Sequence, residues 1–278
     1  MSSKTARSRR GSTLRGIGIA VLLVYTLFPA YWMLSTAVDP RAGARGASIL
    51  PSGFTLEHFE RVLSDAGFGR FLLNSALVAM ITVFASGLIA LLASVAVARF
   101  RFKFRTSVLI MILMVQMVPL EALVIPLFLQ ARDLQMLNSL LGLSIVYLAF
   151  SLPFAIWMLR GFVAAVPVEI EEAAYVDGAS WWQMFWRILF PLVAPGLVAT
   201  SIFSFITAWN EFIFALTFLQ DQNKYTVSVG LRRFFGEYLQ EWGPIMAASS
   251  LITLPVVFFF VAVQKNLVSG LAAGAVKG

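Results

Sequence analysis

Six apolar runs divide this chain, and they leave it few folds to choose from. They cover about 16–38, 71–98, 107–129, 140–162, 192–219 and 244–264. A bilayer core takes roughly 20 apolar residues of helix to cross. Inside that core every backbone polar group needs a partner within the protein, so runs of this kind are read as helices. With 59% hydrophobic and 13% charged residues over 278 positions, the chain is too apolar for a soluble domain of its length. The fold class expected is all-α: a polytopic membrane bundle of six transmembrane helices.

Charge gives the runs a direction. Residues 1–15 carry Lys4, Arg7, Arg9, Arg10 and Arg15 among serines, a basic tail ahead of an uncleaved first span. Arg99, Arg101, Lys103 and Arg105 cluster after the second run and mark its cytoplasmic end. Six spans put both termini on that same side. Of the 21 Lys and Arg, 13 then fall inside and 8 outside. The organisation expected is a cytoplasmic tail 1–15, a six-span domain 16–264, and a cytoplasmic tail 265–278. The net charge of +7 collects beside apolar runs, which points to the lipid bilayer and not to nucleic acid. There is no cysteine and one histidine, His58, so no thiolate or histidine metal cluster and no cysteine nucleophile is available.

One charged segment, EEAAYVDGASWWQMFWRILFP at 171–191, interrupts the apolar pattern between the fourth and fifth runs. Locally it reads as two short helices around a turn. Pro167 fits the first position of the first helix. Glu169, Glu171 and Glu172 follow in its early turns, where carboxylates complement the helix dipole. Gly178 suits a left-handed C-cap, and Ser180 with Gln183 fits a capping box. The second helix presents Trp181, Trp182, Phe185, Trp186 and Ile188 and stops before Pro191.

The spacing Glu172-Ala173-Ala174, three residues, Gly178, nine residues, Ile188, two residues, Pro191 resembles the EAA motif of ABC importer permeases, with Phe190 where leucine is usual. The resemblance implies the type I importer permease fold. It also implies coupling helices at 167–190 that dock into a cleft on an ATPase subunit. Glu171, Glu172, Ala173, Ala174, Asp177, Gly178, Trp181, Ile188 and Pro191 are the positions expected to carry the coupling. The alanines permit close approach, and Asp177 caps the helix or pairs with a basic group. The tryptophans serve the interface or pack on the chain's own spans, and both readings stay open.

No glycine-rich phosphate cradle of the GxxxxGK[ST] type occurs. The chain is therefore expected to be no enzyme. It would hold no cofactor itself, with ATP and Mg on partner ATPase subunits.

Two acids lie inside spans. Glu121 is about 15 residues, roughly 22 Å, past the cytoplasmic start of span three. Glu211 lies at a similar or greater depth in span five beside Trp209 and Asn210. Intramembrane acids face a cavity or a partner. An aromatic face with amide and carboxylate groups suits a polyol, so Glu121, Trp209, Asn210 and Glu211 are candidates for a pathway. Interhelical contact is the competing role for Asn210 and Glu211. Pro119 and Pro126 are expected to kink span three.

The segment MVPLEALVIPLF, the stretch FITAWNEF and the C-terminal GLAAGAVKG resemble maltose-type sugar permeases. In that family the C-terminal tail, here with Gly274 and Lys277, reaches between the ATPase subunits. The resemblance implies a permease in the bacterial cytoplasmic membrane that imports a sugar, di- or oligosaccharide. Its implied partners are a second related permease, two ATPase subunits and an extracytoplasmic sugar-binding protein that docks on outer loops such as 220–243. An ABC permease for a glycerol phosphate would instead need a cation along the pathway. An ion-coupled secondary transporter would use Glu121 and Glu211 as carriers and would leave 171–191 unexplained.

Overall fold

The computed structural model describes the backbone of residues 3–46, 48–64, 67–236 and 241–275, and the side chains of 15–46, 48–64, 67–236 and 241–264. Twelve α-helices are assigned among the described residues: α1 Ser3–Ala37, α2 Glu57–Ser64, α3 Phe68–Arg99, α4 Arg105–Gln116, α5 Val124–Asp133, α6 Leu140–Ala165, α7 Val168–Val176, α8 Trp181–Met184, α9 Phe190–Asn210, α10 Ile213–Phe218, α11 Val227–Leu231 and α12 Trp242–Ala275. Among the described residues five helices are long and apolar enough to cross a membrane, and six if one bent pair is counted as a single span. Contacts divide the chain into two units, 1–68 with 231–253 and 69–230 with 254–278.

The bent pair corrects the expectation of a kinked third span. Its halves, Arg105–Val115 and Leu120–Asp133, meet at 92°. Pro119 is the cause. It has no N–H to continue α4, and it disfavours helical geometry at Val118 before it. Pro119 is extended, with ψ 126°, and the chain resumes through the 3₁₀ turn Leu120–Leu123. Pro126 falls in the first turn of α5, where a proline is tolerated, and bends nothing further. Depth counted along a straight helix therefore does not apply to Glu121.

Span five is broken as well. It was expected to run to about residue 219, but α9 ends at Asn210 and Glu211 is extended, with φ −65° and ψ 133°. The chain restarts as α10. At its other end span five begins earlier than expected. The helix after Ser180 does not stop before Pro191 but runs through a π-helical turn, Phe185–Leu189, into α9. The Phe190 N–H donates to the Phe185 carbonyl, five residues back. The widened turn carries the register past the N–H that Pro191 lacks. One apolar helix thus covers Trp181–Asn210.

In the larger unit, α6 packs along α9. A Cβ at Gly196 would overlap the Phe162 ring, so glycine sets that approach. One buried cluster joins four elements: Ala90, Leu91 and Val95 of α3, Ala155, Leu159 and Val163 of α6, Ala174 of α7, and Met184, Phe185, Leu189 and Val193 of the α8–α9 run. Lipid tails are as apolar as leucine, so close packing rather than water exclusion holds the membrane part of such a cluster.

In the smaller unit, the loop after α1 is built on Asp39. Its carboxylate accepts from the Ser52 hydroxyl at 2.5 Å, the Ser52 N–H at 3.2 Å and the Arg41 N–H at 3.0 Å. Arg45 lies 3.8 Å from Asp39 and donates to the Ser35 and Thr36 hydroxyls at 2.9 Å each. Its guanidinium stacks 4.4 Å over Trp32. Asp39 is fully buried and Arg45 nearly so. The Ser52 hydroxyl, the two backbone N–H groups and Arg45 hold the Asp39 carboxyl below the usual carboxylate range, against burial, which pushes it up.

Candidate functional site

The segment 167–190 forms a helical hairpin whose turn chemistry follows its sequence. Pro167 stands just before α7 as the capping residue, one position earlier than expected, with Glu169 and Glu171 in the first turn. Asp177 is the C-cap of α7, and Gly178 just past it has φ +81°, the left-handed geometry that favours glycine there. The Ser180 hydroxyl accepts from the Gln183 N–H at 3.4 Å, and the Gln183 side chain accepts from the Ser180 N–H at 2.8 Å. That is a complete capping box.

Periodicity splits the hairpin into two faces. Glu171 and Ala174 are buried at 6% and 5% exposure, while Glu172, Ala173, Val176, Asp177 and Gly178 are exposed. Glu171 is spent inside the chain. Its Oε1 accepts from Arg99 Nε at 2.7 Å and lies 2.7 Å from Nη2 in an ion pair, and Arg99 Nη2 donates to the Val166 carbonyl at 2.8 Å. The outer face combines acids with Val176, which is 87% exposed. Partial burial, then the Glu171 carboxylate, raises the Tyr175 phenol above its ordinary value.

The aromatics divide likewise. Phe185 is fully buried, and Trp181 stacks on it with ring centroids 5.3 Å apart. Trp182 and Trp186 stand 61% and 47% exposed. Ile188 packs against the buried cluster, and Pro191 is exposed where the helix continues.

Glu121 and Glu211 line the same cavity. A small cavity of about 80 Å³ is lined by Glu121, Tyr147, Thr207, Glu211 and apolar neighbours from α5, α6 and α10. Glu211 occupies the break in span five and uses its carboxylate there. Oε1 accepts from the Phe214 N–H at 2.8 Å, and Oε2 accepts from the Ala215 N–H at 3.1 Å and from the Tyr147 hydroxyl at 2.5 Å. Its carbonyl accepts from the Ser228 hydroxyl at 2.7 Å. Glu211 thus caps α10 and ties it to α6. Asn210 is exposed and donates to the Ile206 carbonyl at 3.0 Å. Trp209 is 1% exposed and stacks on Phe205, so its indole face is not presented to the cavity.

Three residues outside the sequence-derived set complete these sites. Tyr147 is a polar residue in the middle of a span, a signal available in the sequence. Arg99 was legible only as one of four basic residues marking a side. Asn138, with φ 54°, pins the loop after α10 through its side-chain oxygen, which accepts from the Gln220 and Asp221 N–H groups at 2.6 and 2.9 Å. In the same loop Lys224 donates to the Asn138 carbonyl at 2.5 Å. Glu237 and Tyr238 of that loop and Lys277 of the tail lie outside the described residues. Gly274 falls within the backbone of α12.

Residues 87–272 match the family described as binding-protein-dependent transport system inner membrane component. The chain is 42% identical over 274 residues to the diacetylchitobiose uptake system permease protein DasC of Streptomyces coelicolor, covering 98% of this chain and 99% of that one. It is 39% identical over 267 residues to the trehalose/maltose transport system permease protein MalG of Thermococcus litoralis, covering 94% and 95%. Among solved structures, a bacterial ABC transporter involved in import of the acidic polysaccharide alginate has a chain of the same fold, with a TM-score of 0.79 at 22% identity over 93% of this chain and 97% of that one. On the hairpin, the broken spans and these matches together, the chain belongs to the binding-protein-dependent transport system inner membrane component family and is a permease of the ABC transporters.

Proposed function

We propose that this permease imports a di- or oligosaccharide across the bacterial cytoplasmic membrane, driven by ATP on partner subunits. The observation that carries the coupling half of this reading is the two-faced hairpin. Its inner face is keyed into α3, α6 and α9, and its outer face offers Glu172, Ala173, Val176 and Asp177 to a partner. The sugar half rests on the solutes named for the two relatives.

In the proposed assembly the chain pairs with a second related permease. Two ATPase subunits hold ATP and Mg and grip the hairpin, and an extracytoplasmic binding protein delivers sugar to the outer loops. Both termini face the cytoplasm, in keeping with 13 of the 21 Lys and Arg on that side. The tail around Gly274 and Lys277 reaches toward the ATPases. Closure of the ATPases moves the hairpin, and the hairpin moves the spans.

An anionic solute such as a glycerol phosphate is disfavoured, because the carboxyl groups at the cavity are Glu121 and Glu211 and no cation lines it among the described residues. Ion carriage by Glu211 is disfavoured because its carboxylate already accepts three hydrogen bonds.

The test is ATPase association and binding-protein-stimulated hydrolysis in the reconstituted complex, comparing wild type with Glu172→Lys and Gly178→Asp. Both variants are expected to insert and to lose stimulated hydrolysis. Solute uptake by the chain without any ATPase partner would overturn the reading.

A further inference from the structure

Glu171 sits within the motif that a partner grips, yet it faces inward. Its carboxylate is 8% exposed and its partner Arg99 13%. Arg99 is the last residue of α3. From there it holds two things at once: Glu171 in the first turn of α7, and the carbonyl of Val166, the residue that ends α6. Three elements therefore meet on one guanidinium. Val166 itself belongs to the buried cluster shared by α3, α6, α7 and the α8–α9 run.

We propose that the Arg99–Glu171 pair is the joint that makes the coupling helix move as one body with the ends of spans two and four, so that Glu171 is a positioning residue and not a contact to the ATPase. This rests on the coupling reading above. The physical argument is about stiffness. α7 has only nine residues and is bounded by Pro167 and by Gly178 at φ +81°, two points where the backbone turns. A helix hung between two such turns can tilt on its own when pulled. The apolar contact of Ala174 resists sliding weakly, since alanine offers one methyl group. A nearly buried ion pair, with Arg99 Nε and Nη2 both 2.7 Å from one carboxylate oxygen and a planar guanidinium between them, resists both tilt and rotation. Arg99 additionally anchors to a backbone carbonyl, which cannot change rotamer. A pull on the outer face, at Glu172 and Ala173, therefore reaches α3 and α6 through Glu171 and Arg99. The cavity with Glu121 and Glu211 lies along α6 and the end of α9.

The chain has no cysteine, so a single introduced thiol reports cleanly. Thr207→Cys, lining the cavity, is labelled with a membrane-impermeant maleimide in the assembled transporter, with cysteine-free partners, with and without ATP and vanadate. In the parent the labelling rate is expected to change by about tenfold on ATP trapping, the size of an ordinary coupling free energy. Arg99→Glu and Glu171→Arg are each expected to keep the ATPase bound but to reduce the change to about twofold or less. The exchanged pair Arg99→Glu with Glu171→Arg is expected to restore it, and Glu171→Gln, which keeps an acceptor, to fall between. Rescue by the exchange is an outcome that general damage to the fold does not produce.

If Glu171→Arg releases the ATPase and the exchanged pair does not recover it, Glu171 is a docking contact and the proposal is wrong. If both single variants still switch like the parent, the pair is passive and the proposal is likewise wrong. Failure of the coupling reading looks different: the parent itself would show no ATPase binding and no ATP-dependent change.

Discussion

The Tyr147 hydroxyl donates to Glu211 Oε2 at 2.5 Å, and that contact joins the middle of α6 to the break in span five. The break leaves the first N–H groups of α10 without helical partners, and the same carboxylate accepts two of them. Replacing Glu211 by alanine removes a cap and strands a buried hydroxyl. Caps are worth about 0.5–2 kcal/mol, and an unsatisfied buried group costs about 1–3 kcal/mol. Glu211→Ala is therefore expected to destabilise by roughly 1.5–5 kcal/mol. Tyr147→Phe keeps the cap and is expected to cost about 1 kcal/mol. Thermal unfolding in nanodiscs, followed by circular dichroism, checks the order. Equal losses for the two variants would show that the cap does not matter.

Neighbouring alanines in α7 are expected to behave oppositely. Ala173 is exposed and Ala174 is 5% exposed within the shared cluster. Ala174→Leu is expected to overpack the cluster and cost about 1–3 kcal/mol. Ala173→Leu lies on a surface and is expected to stay within about 0.5 kcal/mol of the parent. In the proposed assembly it weakens ATPase association instead. Co-purification of the ATPase alongside a melting curve separates the two effects, and the assignment of faces fails if the pattern is reversed.

The legibility of these features in the sequence varied with the range of the forces involved. The hairpin's turn was legible because each device is local: Gly178 needs only its own φ, and the Ser180–Gln183 box spans four residues. The break at Pro119 was half legible, since proline announces a bend but not its 92° angle, which depends on what the two halves pack against. The break at Glu211 was not legible. No glycine or proline stands at 208–214, and the helix stops there because a carboxylate, held by Tyr147 64 residues away, offers the backbone a better partner. Arg99 was hidden for a related reason. A basic residue at the end of a span signals topology on average, and only its meeting with Glu171, 72 residues later, gives it a specific task. Trp209 was expected to present its face, but burial against Phe205 is a property of packing that no spacing reveals.

Gly178 supports a prediction with a graded outcome. A Cβ added there meets nothing within 4 Å, so the whole cost of substitution is backbone strain at φ +81°. An ordinary L-residue in left-handed geometry costs about 1–2 kcal/mol, and asparagine, which tolerates that region, costs less. Stability is expected to fall in the order glycine, asparagine, alanine. A melting series on Gly178→Asn and Gly178→Ala reads the order, and a stability gain for alanine would contradict the left-handed turn.

The loop after α1 carries the pH dependence. Asp39 is held ionised chiefly by the Ser52 hydroxyl, with the Arg41 and Ser52 N–H groups and Arg45 adding to it, so its folded value lies below the unfolded value of about 3.9. A carboxyl depressed on folding stabilises the fold at pH above its unfolded value, and that contribution is lost as pH falls through the folded value. Protection of the loop is therefore expected to be flat from neutrality down to about pH 4.5 and to decline below about pH 3.9. Hydrogen exchange of the peptide covering 39–55, corrected for the intrinsic rate at each pH, measures it. The Thr55 N–H, which donates to the Val38 carbonyl at 2.8 Å, is a suitable reporter. Ser52→Ala removes the largest stabilising contact of the carboxylate and is expected to move the decline to higher pH. A decline unchanged by Ser52→Ala would assign the acid sensitivity of the loop to another group.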